Sequence, residues 1–134
     1  MGLSEKARAY LREPRFAVMA TLAADGSAQQ SVVWYELRGD QIMMNTRRGR
    51  LKDDDLRRDP RLSICVPDGY TYVTIWGEAT LVDDQARAQA DILALAIRYH
   101  GRERAEQQAR DQFRKEERVT ILLPTEHVIE YGFE

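Results

Sequence analysis

Short turn signals constrain the fold of this chain more than any other feature of its sequence. Asp25-Gly26, Arg38-Gly39-Asp40 and Pro67-Asp68-Gly69 separate short segments that are rich in Val, Ile, Tyr and Trp. Segments of this kind form strands, and such turns join antiparallel neighbours. The sequence therefore predicts a mainly β fold in which the first three strands form a meander.

Strands and helices are both expected, in one domain. The expected strands are residues 16–23, 28–37, 41–46, 61–66, 70–82, 118–123 and 127–133. The expected helices are residues 3–11 with Ser4 as N-cap, 51–58, a helix from Asp83 or Asp84 to Gly101, and 102–117. The 134 residues contain no repeat and no linker. We therefore expect a single domain, residues 1–134, folded as a small antiparallel β-barrel with flanking helices.

The apolar pattern also predicts which side chains face the core. Residues 16–23 are apolar at consecutive positions, which suits a strand buried on both faces. Leu51 and Leu56 are expected to face inward, and Cys65 is expected to be a buried thiol. The long helix is expected to bury a stripe formed by Ala86, Ala90, Leu93 and Ile97, widened by Ile92, Ala96 and Tyr99.

A basic loop, Asn45 to Lys52 (NTRRGRLK), follows the third strand. Arginine forks and a lysine ammonium are suited to phosphate oxygens. Arg50 and Lys52 stand where the loop enters a helix, so free backbone N–H groups would add to the anion site. In the alternative interpretation, the loop is a solvated charge run that pairs with the acids between residues 53 and 59. We expect Arg50, Lys52 and Arg47 to bind the anion, and Arg48, Arg57 and Arg58 to pair with acids or solvent.

One face of the fifth predicted strand carries aromatic side chains among polar ones. Tyr70, Tyr72 and Trp76 alternate with an apolar face that suits the core. Aromatic rings with a polar atom are common in interfaces and ligand walls. Core or interface packing is the alternative for both Trp34 and Trp76.

Several classes of function are excluded by what the sequence contains. A net charge of −2 argues against a general nucleic-acid-binding protein. The chain has one cysteine and two histidines, His100 and His127, so we expect no disulfide and no metal site. No P-loop, catalytic triad or nucleophile elbow is present. The sequence has no membrane span and its first twelve residues lack a signal-peptide core, so we expect a cytoplasmic protein. An anion site without such groups favours chemistry supplied by a cofactor.

The order of segments resembles a known family. FAVMATLAADGSAQQSVVWYEL, TRRGRLK, LRRDPRLSICV and YVTIWGEATL follow one another along the chain. This series resembles the split-barrel family that includes pyridoxamine 5'-phosphate oxidase. Within it, the chain is similar to subgroup B of the flavin- and deazaflavin-dependent oxidoreductases, which use coenzyme F420, and to the biliverdin reductases among them.

The resemblance implies a homodimer of six-stranded antiparallel split barrels with two cofactor sites at the interface. Thr46, Arg47, Arg50 and Lys52, with Leu51 between them, would hold the phosphate and acidic tail of coenzyme F420. Gln30, Ser31, Val32, Val33 and Trp34 would line the deazaflavin ring, and Tyr72 and Trp76 would lie near the interface and contribute across it. Two positions depart from the family pattern: Val32 replaces a frequent proline, and Asp54 and Asp55 replace a basic residue and an asparagine.

By this resemblance, the protein is a reductase that passes a hydride from reduced coenzyme F420 to a conjugated substrate. Biliverdin or a similar tetrapyrrole is the preferred substrate, and no catalytic residue is assigned. Two alternatives stay open: an FMN-dependent oxidase or reductase of the same fold, and a non-catalytic protein that binds heme, a fatty acid or another apolar anion.

Overall fold

The computed structural model describes residues 2–134, which form nine strands and four α-helices. The strands are β1 (Ala17–Leu22), β2 (Ala28–Val33), β3 (Glu36–Arg38), β4 (Gln41–Arg47), β5 (Arg61–Asp68), β6 (Thr71–Glu78), β7 (Thr80–Val82), β8 (Arg118–Pro124) and β9 (His127–Tyr131). The helices are α1 (Glu5–Leu11), α2 (Leu51–Arg58), α3 (Gln85–His100) and α4 (Arg102–Asp111), followed by a 3-10 turn (Phe113–Lys115). The expected mainly β fold with flanking helices is confirmed.

The strands form two antiparallel sheets. The five-stranded sheet has the order β2-β1-β5-β6-β9, and the four-stranded sheet has the order β3-β4-β8-β7. The expected count of six strands is not confirmed, because two predicted strands each divide between the sheets. The chain passes from the five-stranded sheet to the four-stranded sheet after Val33, and it does so again at Ala79. The Ala79 N–H donates a hydrogen bond to the Pro60 carbonyl at 2.8 Å.

Three layers result from this arrangement. One core cluster lies between the sheets and contains Met19, Ile64 and Ile75 together with Met44 and Ile121. A second cluster lies between the four-stranded sheet and the helices α3 and α4. The other face of the five-stranded sheet is covered by no element of residues 2–134, so its apolar side chains stay partly exposed.

This uncovered face corrects two expectations about burial. Strand β1 alternates between buried and half-buried residues, so it is not buried on both faces, and Phe16 just before it is 55% exposed. Cys65 lies on the uncovered face and is half-buried, so it is not a core thiol.

The helices confirm the predicted caps and correct the predicted faces. Ser4 caps α1 and Asp84 caps α3, as expected, while α4 ends at Asp111, short of the expected residue 117. Leu56 is buried, but Leu51 is 58% exposed, contrary to expectation, because it lies in the first turn of α2.

The buried face of α3 is rotated from the predicted stripe. Its buried residues are Ala88, Asp91, Ile92, Leu95 and Ala96, whereas Ala86 and Ala90 are exposed. The pattern of apolar residues misplaces the stripe because a buried carboxylate, Asp91, lies at its centre. Asp91 accepts a hydrogen bond from Arg38 at 2.6 Å and another from Thr120 at 2.7 Å.

Within residues 2–134, no helix combines the length and the apolar character that crossing a membrane would need.

Candidate functional site

A cavity of about 320 Å³ opens where six elements meet. The end of β2, the end of β4 and the start of α2 form one side, and α3, α4 and the start of β8 form the other. Its walls contain Val32, Val33, Trp34, Asn45, Thr46, Arg47, Arg50, Lys52, Ile92, Leu95, Gln108, Gln112, Phe113 and Arg118. Cationic, apolar and neutral amide side chains therefore share one cavity.

Four cations line this cavity, and one acid partly neutralises them. Arg118 is 8% exposed, bonds Glu116 at 2.7 Å and donates to the Asn45 amide oxygen at 3.0 Å. Arg47 is 3.9 Å from the other oxygen of Glu116. For Arg50 and Lys52, no acid among residues 2–134 lies within ion-pair distance. The cavity therefore holds a surplus of positive charge.

The surplus charge affects two groups in the wall. Burial lowers the pKa of Lys52, and the neighbouring charges of Arg50 and Arg118 lower it further. Burial also lowers the pKa of Arg118, and although Glu116 opposes this shift, Arg50 and Arg47 add to it. Like charges held together in a partly buried wall are stabilised by an anion.

Helix α2 begins at this wall. Arg50 is the N-cap residue and its side chain makes no cap hydrogen bond, so it leaves the first-turn N–H groups of α2 available. The preceding turn needs Gly49, whose φ is +88°. Asp53 holds the turn in place, because it accepts a hydrogen bond from the Gly49 N–H at 2.8 Å.

The remaining arginines of this segment are held by acids. Arg57 bonds Asp53 at 2.9 Å and Asp83 at 2.6 Å. Arg58 bonds Asp55 at 2.9 Å, and Arg48 lies 3.4 Å from Asp83 and 3.9 Å from Asp53. Asp53 and Asp55 are partners of the expected kind, whereas Asp83 lies outside the segment from residue 53 to 59 in which the acids are expected. Asp55, one of the two departures from the family pattern, is 1% exposed and faces Thr21 and Arg58, whereas Asp54 is exposed.

A smaller hollow of about 170 Å³ adjoins the cavity, and Arg50 and Lys52 contribute to both. Its walls also contain Thr21, Gln29, Gln30, Ser31 and Leu51. Strand β2 is an edge strand of its sheet, so its backbone groups on one side are free of ladder partners in residues 2–134.

Flat and apolar side chains complete the cavity. Trp34 stacks on Tyr99, with ring centroids 5.2 Å apart and an interplanar angle of 10°. Phe113 lies under the Arg118 guanidinium, whose central carbon is 5.3 Å from the ring centroid. Val32 is 68% exposed, so the rim is apolar as well. This wall suits a flat conjugated ligand.

The structure brings together ten of the twelve predicted cofactor-binding residues. The cavity or the adjoining hollow is lined by Gln30, Ser31, Val32, Val33, Trp34, Thr46, Arg47, Arg50, Leu51 and Lys52. Tyr72 and Trp76 lie elsewhere in the chain, on the uncovered face of the five-stranded sheet. There Tyr72 stacks on Tyr131 and Trp76 stacks on His127, each at 5.6 Å.

Sequence reasoning missed Arg118 and the side chains that α3 and α4 contribute. Arg118 reaches the site because β8 pairs with β4, in a register that sets it opposite Arg47. Gln108 lies on α4 and Gln112 caps the end of that helix, and both stand among other polar residues, so no local signal separates them from their neighbours. Around the site and elsewhere in residues 2–134, His, Cys, Asp and Glu form no group that could hold a metal ion.

Residues 3–126 match the family model for pyridoxamine 5'-phosphate oxidase. The chain belongs to this family. A structure named F420 reductase is similar to this member of the family with a TM-score of 0.76 and 22% identity, over 95% of this chain and 98% of that one. A conserved hypothetical protein, Rv2991 from Mycobacterium tuberculosis, gives a TM-score of 0.79 and 24% identity, over 94% and 82% of the two chains. The heme storage protein HutZ from Vibrio cholerae gives a TM-score of 0.73 and 17% identity, over 99% of this chain and 97% of that one. At these identities the similar structures show the fold alone.

Proposed function

We propose that this protein is a reductase that uses coenzyme F420. One observation carries the proposal: the same cavity is lined by cations without acidic partners, Arg50 and Lys52, and by apolar side chains, Trp34 and Val32. A cofactor with a phosphate at one end and a conjugated ring at the other needs a cationic wall and an apolar wall together. The family assignment and the F420 reductase among the similar structures favour this proposal.

The donor set fits such a cofactor. Arg47, Arg50 and Lys52 would neutralise its phosphate and acidic tail, and Thr46 together with the first N–H groups of α2 would add hydrogen bonds. The exposed edge of β2, Gln30 to Trp34, would line the ring and limit access of water. Bound in its reduced form, coenzyme F420 supplies hydride transfer to an electron-poor carbon.

A homodimer is part of the proposal. The uncovered face of the five-stranded sheet carries Trp76, which is 39% exposed, Ile129 at 51% and Tyr131 at 56%. Neighbouring exposed apolar side chains of this kind favour an interface. A second copy on this face would cover Tyr72 and Trp76 and bring them towards a cofactor site.

We propose a tetrapyrrole such as biliverdin as the substrate. Its propionates suit arginines that the cofactor leaves free, and its conjugated system suits the wall around Trp34. FMN is the second candidate cofactor, since it also joins a phosphate to a flat ring. A non-catalytic protein that binds heme or another apolar anion is the second candidate class, favoured by the heme-binding names among the similar structures.

Titration with coenzyme F420 and with FMN, side by side, tests the proposal. We expect micromolar or tighter binding of coenzyme F420 and a change in its visible absorption, followed by turnover of biliverdin with the reduced cofactor. If the protein is purified yellow with bound FMN and does not bind coenzyme F420, the cofactor assignment is wrong. Tight binding of heme without turnover under any reductant would instead support the carrier.

A further inference from the structure

One buried polar atom in the cavity wall has no partner. Gln108 lies on α4 and lines the cavity, and its side-chain Oε1 is withdrawn from solvent without a hydrogen-bond partner in residues 2–134. Among the side-chain nitrogen and oxygen atoms of residues 2–134, Gln108 Oε1 is the only one that is buried without a hydrogen-bond partner. Proteins avoid buried unpaired acceptors because each is destabilising, so this one marks a place where a ligand can contribute.

The surroundings of Gln108 indicate what kind of ligand group it would meet. The cationic side chains come from β4, the start of α2 and β8, whereas Gln108 on α4 and Gln112, which caps the end of α4, are neutral. Ile92, Leu95 and Phe113 line the same cavity and are buried. A ligand group that reaches α4 is therefore neutral, polar and attached to an apolar body.

A primary amide has one strong acceptor and two donors on adjacent atoms. A cyclic imide or lactam offers the complementary pair, a ring N–H beside a ring carbonyl, and the two can form two parallel hydrogen bonds. The terminal torsion of glutamine is broad, so the amide can turn its oxygen or its nitrogen towards such a partner. A site built for this pair rejects ligands that lack it, since the amide is then left unpaired.

We propose that Gln108 recognises a cyclic imide or lactam of the ligand bound in the cavity. This inference rests on the proposed function, because deazaflavin and flavin rings carry an imide and bilins carry lactams. Gln108 would then determine specificity for a neutral group of the ligand, in a site whose cationic side chains recognise only negative charge.

The test compares Gln108→Met with Gln107→Met. Methionine keeps the approximate size of glutamine and removes the amide. Gln107 is exposed on the same helix and does not line the cavity, so its variant is the matched control. Dissociation constants are measured for coenzyme F420, FMN, biliverdin and inorganic pyrophosphate, which is an anion without a ring.

We expect Gln108→Met to weaken binding of imide or lactam ligands about tenfold, to leave pyrophosphate within twofold, and to raise the melting temperature of the ligand-free protein by roughly 3 °C. Gln107→Met should change none of these values. Weakening of both cofactors alone identifies the cofactor imide as the partner, and weakening of biliverdin alone identifies a lactam of the substrate. Gln108→Leu, which also removes the amide and adds no charge, gives the same comparison if the methionine variant does not fold.

Unchanged affinity of Gln108→Met for all three ring ligands would overturn this inference alone. If the wild-type protein ignores coenzyme F420 while its binding of FMN or biliverdin depends on Gln108, the proposed function fails and this inference stands. If the wild-type protein binds none of the three, both fail.

Discussion

Two groups of basic side chains adjoin helix α2, and they differ in their partners. Arg57 and Arg58 bond buried carboxylates of their own helix at 2.9 Å. Arg50 and Lys52, at its start, have no acid within ion-pair distance among residues 2–134. The first group is neutralised within the fold, and we propose that the second binds a ligand anion. We call Arg57 and Arg58 the structural set, and Arg50 and Lys52 the binding set.

Removing the binding set gives the largest expected effect. In Arg50→Ala/Lys52→Ala, affinity for coenzyme F420 should fall roughly 100-fold, about 2.7 kcal/mol, because two charge-assisted contacts are lost. Folding stability should not fall, since neither side chain has an acidic partner to lose. Titration calorimetry and urea unfolding measure the two quantities.

The structural set supplies the matched control. Arg57→Ala/Arg58→Ala removes the same net charge from the same segment, and it should change affinity by less than about threefold while lowering stability by about 3 kcal/mol, because two buried carboxylates lose their partners. Equal losses of affinity in both double variants would show that only net charge matters and would break the distinction between the two sets.

A smaller effect is expected from the acid that holds the loop. Asp53 is 1% exposed and accepts from the Gly49 N–H and from Arg57. Asp53→Ala should lower the free energy of unfolding by about 2 kcal/mol, because the Gly49 N–H and the Arg57 guanidinium both lose the same charged, buried partner. Asp54→Ala, on the exposed side of the same turn, should change it by less than about 0.5 kcal/mol. Urea unfolding curves check both, and similar losses in the two variants would contradict the role given to Asp53.

The sequence predicts the division of the basic residues because helical spacing determines it. Positions three and four apart share a helix face, so Asp53 with Arg57 and Asp55 with Arg58 follow from the order of residues alone. The bounds of α2 and the caps Ser4 and Asp84 are equally local and are equally well predicted.

Features that depend on distant contacts are not predicted from the sequence. Arg118 enters the site through the pairing of β8 with β4, and Gln108 through the packing of α4 on α3. The face of α3 is misjudged because Asp91 is buried against Arg38 and Thr120, which come from two different strands. The place of Tyr72 and Trp76 outside the cavity likewise follows from the order of strands in the five-stranded sheet.

The smallest expected effect, and the most specific, is a dependence of anion binding on pH. Burial and the charges of Arg50 and Arg118 lower the pKa of Lys52, and a bound anion would raise it again. Affinity should therefore be constant at low pH and fall several-fold as pH rises from the ligand-free pKa to the ligand-bound one. Lys52→Arg should abolish this dependence, because a guanidinium stays charged throughout. Titrations with sulfate, which stays fully ionised throughout, from pH 6 to about pH 10 measure it. An unchanged profile in Lys52→Arg would mean that another group titrates, and Lys52 would then leave the binding set.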